Sequence, residues 1–339
     1  MLNRSASDVP QSMIAVVGSG YGGAEVLEIQ TVETPMPAEG QLLIKVAASS
    51  LNALDWHMRT GTPYFLRLME GLRSPRRTID GADVAGTVVR LGAGVTDFAV
   101  GDKVFGETNG GGFGEYLTAK PAGVALKPEG VSWQDAGATP VAGLTAVQGL
   151  RTHAKLQPGE HVLINGAAGG VGTFAVQIAK ALGAEVTAVC SGHNVDMVRS
   201  LGADHVVDYT TEDFVNGGAR FDVMLDGVGN RSVKECRSVL RPEGRFVLIS
   251  GPKGNPWIDP IPHMVKTMLG FKRASQSFHQ FTAAPEREDL DFLGELLADG
   301  RLKPEIQRVV GLDGVAEGLA EIGTGHARSK IVVVSRLQE

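Results

Sequence analysis

Between Met13 and Val46 the chain alternates short apolar runs with turns: Ile14-Ala15-Val16-Val17, Val26-Leu27-Glu28-Ile29 and Leu42-Leu43-Ile44-Lys45-Val46. Pro35, Pro37 and Gly40 separate the last two. Apolar runs of about four to eight residues bounded by glycine and proline predict β-strands. The pattern continues at Val84 to Leu91, at Lys103-Val104-Phe105 and at Phe113 to Leu117, with turns at Gly92-Ala93-Gly94 and Gly101-Asp102. The spacing is too irregular for a repeat array and predicts an antiparallel, partly barrel-like β domain.

A different texture interrupts these strands from Leu51 to Thr78. Trp56, Tyr64, Phe65, Leu66, Leu68, Met69 and Leu72 are interleaved with Arg59, Arg67, Arg73, Arg76 and Arg77. Aromatic and arginine side chains together can mark nucleic-acid binding. A chain of net charge −6 argues against that. The segment predicts a packed helical insertion with solvated arginines, the alternative being a lid over a substrate pocket.

After Pro128 strands and helices alternate. Trp133 to Ala138 and Gly143 to Leu150 read as helices with Pro140 between them, and Arg199-Ser200-Leu201-Gly202-Ala203-Asp204 ends a further helix. Strands are expected at His205-Val206-Val207, Phe221 to Leu225 and Arg245 to Ile249. Such alternation predicts a doubly wound parallel sheet. Pro252, Pro256, Pro260 and Pro262 break the pattern, His263 to Phe271 is apolar, and Leu290 to Leu297 reads as a helix. Ile331-Val332-Val333-Val334 forms a closing strand outside this block, expected to return to the first domain's sheet.

The centre of the α/β part is His161 to Ser191. The apolar run Val162-Leu163-Ile164 is followed by Gly166-Ala167-Ala168-Gly169-Gly170-Val171-Gly172, then by a helix carrying Val176, Ile178, Ala179 and Leu182 and ending near Gly183. A second apolar run, Val186 to Cys190, completes a βαβ unit. Residues 167 to 172 read A-x-G-x-x-G, a variant of the dinucleotide fingerprint. Gly169 would let the backbone approach a pyrophosphate, Gly172 would let helix pack on strand, and the helix N–H groups would face the phosphates.

An NAD-binding unit usually ends its second strand in Asp or Glu about 20 residues on, to hold the ribose 2′-OH. Here that position is Ser191, followed by Gly192, His193 and Asn194. Ser191, Asn194 and nearby Arg199 could donate to a 2′-phosphate, which favours NADPH; the alternative is an NAD enzyme of relaxed selectivity.

Hydrophobic content of 43% and charged content of 21% are those of an ordinary globular protein, and 339 residues suffice for two cores. Only Cys190 and Cys236 are present, so neither a disulfide framework nor a four-cysteine zinc lobe is available. No run of about eighteen apolar residues occurs to span a membrane. The opening MLNRSASDVPQS lacks an apolar core and carries Asp8, so it reads as a short disordered tail and not as a signal or transit peptide. The expected compartment is the cytoplasm.

The order of motifs resembles the medium-chain dehydrogenase/reductase superfamily, in its zinc-free quinone-oxidoreductase branch, including the reticulon-interacting NADPH oxidoreductases. The motifs are Gly20-Tyr21-Gly22-Gly23, Leu51-Asn52-Ala53-Leu54-Asp55, Gly81-Ala82-Asp83-Val84-Ala85-Gly86, Val100-Gly101-Asp102-Lys103-Val104-Phe105-Gly106 and Gly112-Phe113-Gly114-Glu115-Tyr116. They continue with Gly143-Leu144-Thr145-Ala146, the glycine-rich turn, Leu201 to Tyr209 and Lys330 to Val334. The resemblance implies an α/β protein in which a Rossmann doubly wound parallel sheet accompanies a GroES-like β domain. The GroES-like catalytic domain would span 1–128 with 275–339 returning to it, and the Rossmann NADPH-binding domain 129–274. It carries phosphate binding to Ala168, Gly169, Gly170 and Val171, and 2′-phosphate contact to Ser191 and Tyr209. Zinc-dependent members have a cysteine near Asp55 and a His-Glu pair near Ala82-Asp83. With aspartate and alanine at the first two positions, His57 and Asp83 do not make a ligand set, and no metal is expected.

The implied chemistry is NADPH-dependent, two-electron reduction of a quinone or an α,β-unsaturated carbonyl. Asn52, Asp55 and Tyr64 are the candidates for polar contact with the acceptor, with Tyr21 more distant. Against this, Asn52 could cap the helix starting near Asp55, and Tyr64 could be core. Rival functions are an enoyl-thioester reductase, with a pantetheine pocket near Lys266, Lys272 and Arg273, and a non-catalytic NADPH-binding protein. His193 could touch the adenosine phosphate; His153, His161, His205, His263, His279 and His326 show no metal or triad spacing. No Gly-x-Ser-x-Gly elbow is present. By analogy alone, the resemblance leaves room for a homodimer through the Rossmann sheet edge.

Overall fold

The structure is a computed structural model, described for residues 9–251, 261–272, 274–325 and 327–335, the Met69 side chain apart. The expected N-terminal tail up to Asp8, the breaks at Pro252, Pro256 and Pro260, and the candidates Arg273 and His326 lie outside these residues.

The first apolar runs pair as an antiparallel ribbon, β1 (Ser12–Gly18) with β2 (Leu27–Glu33). β3 (Leu42–Ser50) follows, buried along its length except near Lys45 and Ala47. It leads into helix α1 (Ala53–Thr60) and a single turn, α2 (Arg67–Glu70). Next come β4 (Asp83–Leu91), β5 (Lys103–Glu107), β6 (Tyr116–Ala119), β7 (Val124–Leu126), α3 (Trp133–Ala138) and α4 (Pro140–Val147). The expected strand at Phe113 begins only at Tyr116, because the N–H groups of Gly111, Gly112 and Phe113 bond back to the carbonyls of residues 79 to 81. The two expected helices are present, but Pro140 is the first residue of the second and not a link between them: it opens α4, where a missing N–H costs nothing.

The parallel part contains β8 (His161–Asn165), α5 (Gly170–Ala181), β9 (Glu185–Cys190), α6 (Val195–Ser200), β10 (His205–Asp208), β11 (Phe221–Asp226), α7 (Val233–Val239), β12 (Leu240–Leu248), α8 (Ile261–Phe271) and β13 (Ser277–Gln280). The chain then adds α9 (Arg287–Ala298), β14 (Ile306–Val310), α10 (Val315–Thr324) and β15 (Lys330–Val334).

Two compact units result, residues 1–144 with 285–339, and residues 145–284. The transitions expected at 128 and 274 shift for two reasons. α3 joins the first unit, since Ala138 packs with Ala48, Val332 and Val334 and Gly137 lies so close to Ala48 that a Cβ would come within 2.9 Å. β13 pairs with β12, so residues 277–280 belong to the second unit's sheet.

In the first unit the sheet order among the described residues is β14-β15-β3-β4-β5-β7, with β6 also on β3. One edge of β3 is shared: Leu42 to Lys45 pair with β6, and Ala48 to Ser50 pair with β15. Register shifts against β4 after Leu43 and after Val46 add local bends, which is how a sheet curls toward a barrel. Leu42, Ile44, Val46, Val84, Val88, Val104, Leu117 and Val124 fill its core. As expected, the closing strand β15 returns to this sheet.

In the second unit the order is β10-β9-β8-β11-β12-β13, all parallel. That is the doubly wound Rossmann order, with its switch point between β8 and β11. Cys190 and Cys236 are both free and buried. Among the described residues no helix is long and apolar enough to cross a membrane.

Candidate functional site

In the second unit the glycine turn follows β8 at the switch point. The N–H groups of Gly166 and Ala167 bond Val189 O at 3.2 and 3.0 Å, fixing the turn on the neighbouring strand. The glycines beyond it do different jobs. A Cβ at Gly172 would lie 2.2 Å from Gly166 O and 2.7 Å from Ala167 backbone atoms, so α5 can start this close to β8 only with glycine there. A Cβ at Gly169 would meet nothing nearer than Gly166 O at 3.4 Å, and its φ of −79° is open to any residue. The fold therefore does not need glycine at 169. Its bare backbone leaves a cradle at the mouth of α5, where Ala168, Gly169, Gly170, Val171 and Gly172 come together and the first-turn N–H groups lack helical partners.

Two residues the sequence did not single out complete this end. Asn165 and Asp226 terminate β8 and β11, and Asn165 Nδ2 donates to Asp226 Oδ1 at 2.9 Å. The same oxygen accepts from the N–H groups of Val228 and Gly229, both at 2.9 Å. Asp226 Oδ2 is buried without a partner, and burial raises the carboxyl pKa against those hydrogen bonds. The available signal was a polar residue closing each of two apolar runs. An orphaned buried carboxyl oxygen, a cradle that a Cβ would fill and free helix N–H groups fit a dinucleotide.

At the far end of β9, Ser191 and Asn194 are both buried, and Asn194 Nδ2 donates to Ser191 Oγ at 3.0 Å. His193 Nε2 lies 3.4 Å from the same hydroxyl. Tyr209 is exposed, but its N–H bonds Cys190 O at 3.0 Å, which brings the end of β10 beside Ser191. Arg199 turns to Asp196 at 3.4 Å. Ser191 carries no charge, yet the position is not free of carboxylates as expected: the parallel pairing brings Asp208, from the next strand, against Gly192. Sequence distance along one βαβ unit could not reveal a group supplied by the following strand.

The first unit holds the other candidates. Asn52 precedes α1, and its N–H donates to Asp55 Oδ2 at 2.9 Å, the return half of a capping box. Asp55 Oδ1 accepts from Gly81 N and Ala82 N at 3.2 and 3.0 Å, so this carboxyl clamps α1 to the 81–82 turn. Burial, then the charges of Asp80 and Asp83, push its pKa up to about 7 against the pull of the backbone N–H groups.

The Asn52 amide is committed to a buried network. Nδ2 donates to Asp83 Oδ2 at 2.8 Å and to Ser50 O at 3.3 Å, while Oδ1 accepts from the Lys330 ammonium. Ser50 Oγ also donates to Asp83 Oδ2, Lys330 Nζ lies 3.3 Å from that same oxygen, and Val141 N donates to Oδ1 at 2.8 Å. Lys330 is 1% exposed and Asp83 fully buried. Opposite Asp83 in the β4–β5 register stands Glu107, with a buried, unpartnered Oε2. Burial, then Asp83 and Asp55, raise its pKa to about 8, so it is largely protonated at neutral pH.

Tyr64 lies in a short 3-10 turn with its ring 4.4 Å from the Arg67 guanidinium, which faces the Tyr21 ring at the same distance. Tyr21 Oη donates to Gly71 O at 2.6 Å. The expected solvated arginines are not uniformly so. Arg59 is fully buried, bonded to Asp80 at 2.6 Å and to Gly20 O at 3.0 Å, and Arg77 pairs with Glu70 at 2.8 Å. The segment is a framework of cation–π and ion-pair contacts.

A metal does not suit these residues. Asp83 already carries an ammonium, Asp55 is taken up by backbone N–H groups, and His57 Nδ1 lies 2.7 Å from Thr62 O. Among the described residues no group of three or more His, Cys, Asp or Glu side chains is placed to hold a metal ion.

Comparison with known proteins adds the family. Residues 38–129 match the alcohol dehydrogenase GroES-like domain, and residues 201–333 match the family described as zinc-binding dehydrogenase. The chain is 35% identical to the chloroplastic quinone-oxidoreductase QR1 of Triphysaria versicolor, over 95% of this chain and 98% of that protein. It is 31% identical to the chloroplastic NADPH-dependent alkenal/one oxidoreductase of Arabidopsis thaliana, over 96% and 81%. The solved quinone oxidoreductase from Coxiella burnetii superposes with a TM-score of 0.84 at 30% identity, over 96% of this chain and 100% of that one. With its Rossmann strand order and its GroES-like sheet closed by β15, the chain belongs to the medium-chain dehydrogenase/reductase superfamily, among its quinone-oxidoreductase-type enzymes.

Proposed function

We propose that the protein is an NADPH-dependent, zinc-independent oxidoreductase that reduces quinones or α,β-unsaturated carbonyls. The observation that carries the cofactor half is the cradle at Gly169, where glycine serves no need of the fold. When bound, the reduced nicotinamide supplies the hydride. Backbone N–H groups at Ala168, Gly170, Val171 and Gly172 hold the pyrophosphate over the bare Gly169 backbone, whose own N–H is taken by Gly166 O, and Ser191, Asn194 and Tyr209 orient the adenosine end. Asn52 and Asp55 act as positioning residues, since their polar atoms are committed to Asp83, Lys330 and the 81–82 turn. Tyr64, half-buried beside Arg67, is the proposed acceptor contact.

Support for the acceptor class comes from the names of the relatives above. It also follows from a site whose buried cation is an ammonium on Asp83: conjugated acceptors spread the incoming charge and need less electrophilic help than simple ketones. A homodimer through β13, the edge strand of the parallel sheet, and a cytoplasmic location belong to the same proposal. Sedimentation and a fluorescent fusion check them.

Steady-state turnover with NADPH against quinones, enones, enoyl-CoA esters, aldehydes and alcohols tests the activity, with and without chelator. Quinone or enone reduction indifferent to chelator is expected. Activity confined to alcohols or aldehydes and dependent on zinc would overturn it. Turnover of enoyl-CoA alone would identify an enoyl-thioester reductase, and tight NADPH binding without any turnover a non-catalytic binder.

A further inference from the structure

The loop after β9 lies against a fixed negative charge. Asp208 lies opposite Cys190 in the parallel register, and its Oδ2 is so near Gly192 that a Cβ there would sit 2.6 Å away. Oδ1 accepts from the N–H and hydroxyl of Thr210 at 3.0 and 2.7 Å, and the Gly192 N–H also donates to the carboxylate. These bonds hold the Asp208 carboxyl below the usual carboxylate range, so it is ionised at any working pH. Charged groups nearby include Glu212, whose N–H bonds Asp208 O at 2.8 Å, and the Asp196–Arg199 pair on α6. Asn194 Oδ1 is a buried acceptor without a partner, which a phosphate oxygen cannot satisfy. The polar groups here are therefore mixed in sign and do not form a purely cationic clamp.

We propose that Asp208 sets the cofactor selectivity of this site, its carboxylate weakening the hold on a 2′-phosphate while leaving an unphosphorylated ribose unaffected. The proposal rests on the NADPH reading above and adds the residue that tunes it.

The test is the dissociation constant of NADPH and of NADH, by fluorescence titration of the full-length protein at low salt. Wild type, Asp208→Asn and Asp208→Ser are compared at one pH near neutrality. Asp208→Asn keeps an acceptor for Thr210 and should tighten NADPH about fivefold while leaving NADH nearly unchanged. Asp208→Ser removes the same charge with a smaller side chain and should act in the same direction, so the proposal is still decided should Asp208→Asn fail to fold. An NADPH preference unchanged or weakened by loss of the carboxylate overturns this proposal alone. A wild type with no NADPH preference overturns the cofactor reading beneath it.

Discussion

Replacing Lys330 by methionine removes the cation from a fully buried carboxylate. Nζ lies 3.3 Å from Asp83 Oδ2 and also serves Asn52 Oδ1 and Leu51 O. At an effective dielectric of about 20 that attraction is worth about 5 kcal/mol, from which methionine's better desolvation subtracts. What remains is Asp83 with donors only from Ser50, Asn52 and Val141, so Lys330→Met should cost about 3–5 kcal/mol. Lys330→Met with Asp83→Asn removes both charges, and should recover at least about 2 kcal/mol of that loss. Urea unfolding at neutral pH followed by tryptophan fluorescence measures this, since Trp56 and Trp133 both lie in the first unit. A Lys330→Met protein within about 1 kcal/mol of wild type would show that the pair is not the anchor described, as would a double variant no better than the single.

Gly169→Ala should leave stability within about 0.5 kcal/mol of wild type yet weaken NADPH binding about tenfold or more, because the added Cβ enters the cradle and not the protein. Gly172→Ala meets backbone at 2.2 Å and should cost about 3 kcal/mol or fail to fold; equal stability for the two variants in thermal unfolding would contradict the division of roles. Glu107, raised to about 8, keeps its proton in the folded state after the unfolded chain has lost it. Its contribution is therefore full below the unfolded value of about 4.3 and is lost as pH rises through about 8. Glu107→Gln should accordingly gain about 1–2 kcal/mol over wild type between about pH 5 and about pH 8.5, and parallel stability–pH curves would refute it. Ser191→Asp places a second carboxylate near Asp208 and should weaken NADPH more than NADH in the same fluorescence titration; equal losses would disconnect Ser191 from the 2′-position.

Much of this was legible beforehand because period and punctuation are local. The βαβ unit, the closing strand at Ile331 and the change of texture after Pro128 all appear where the apolar runs put them. What escaped was set by partners far apart in sequence. Lys330 reads as an ordinary lysine opening a strand, and nothing before residue 83 announces that it will be buried 247 positions away. Arg59 looked like one of five surface arginines until Asp80 and the bare backbone at Gly18 made room for it. Gly169 and Gly172 are the same letter in one motif, and only the distance to Gly166 O separates a glycine the fold requires from one it does not. Asp208 falls outside the selectivity rule, which follows one strand, whereas this carboxylate arrives from the next.

The divided edge of β3 bears on how the polypeptide emerges from the ribosome. Ala48 to Ser50 wait for Val332 to Val334, while every strand of the parallel sheet lies between residues 161 and 280. Synthesis therefore completes the nucleotide-binding half while the half that begins the chain still shows an open, apolar strand edge. Such an edge is adhesive toward other nascent chains until it is covered. Yield in the cell should thus depend on how promptly β15 is delivered, so that premature termination before Lys330 leaves a finished Rossmann unit tethered to an aggregation-prone partner.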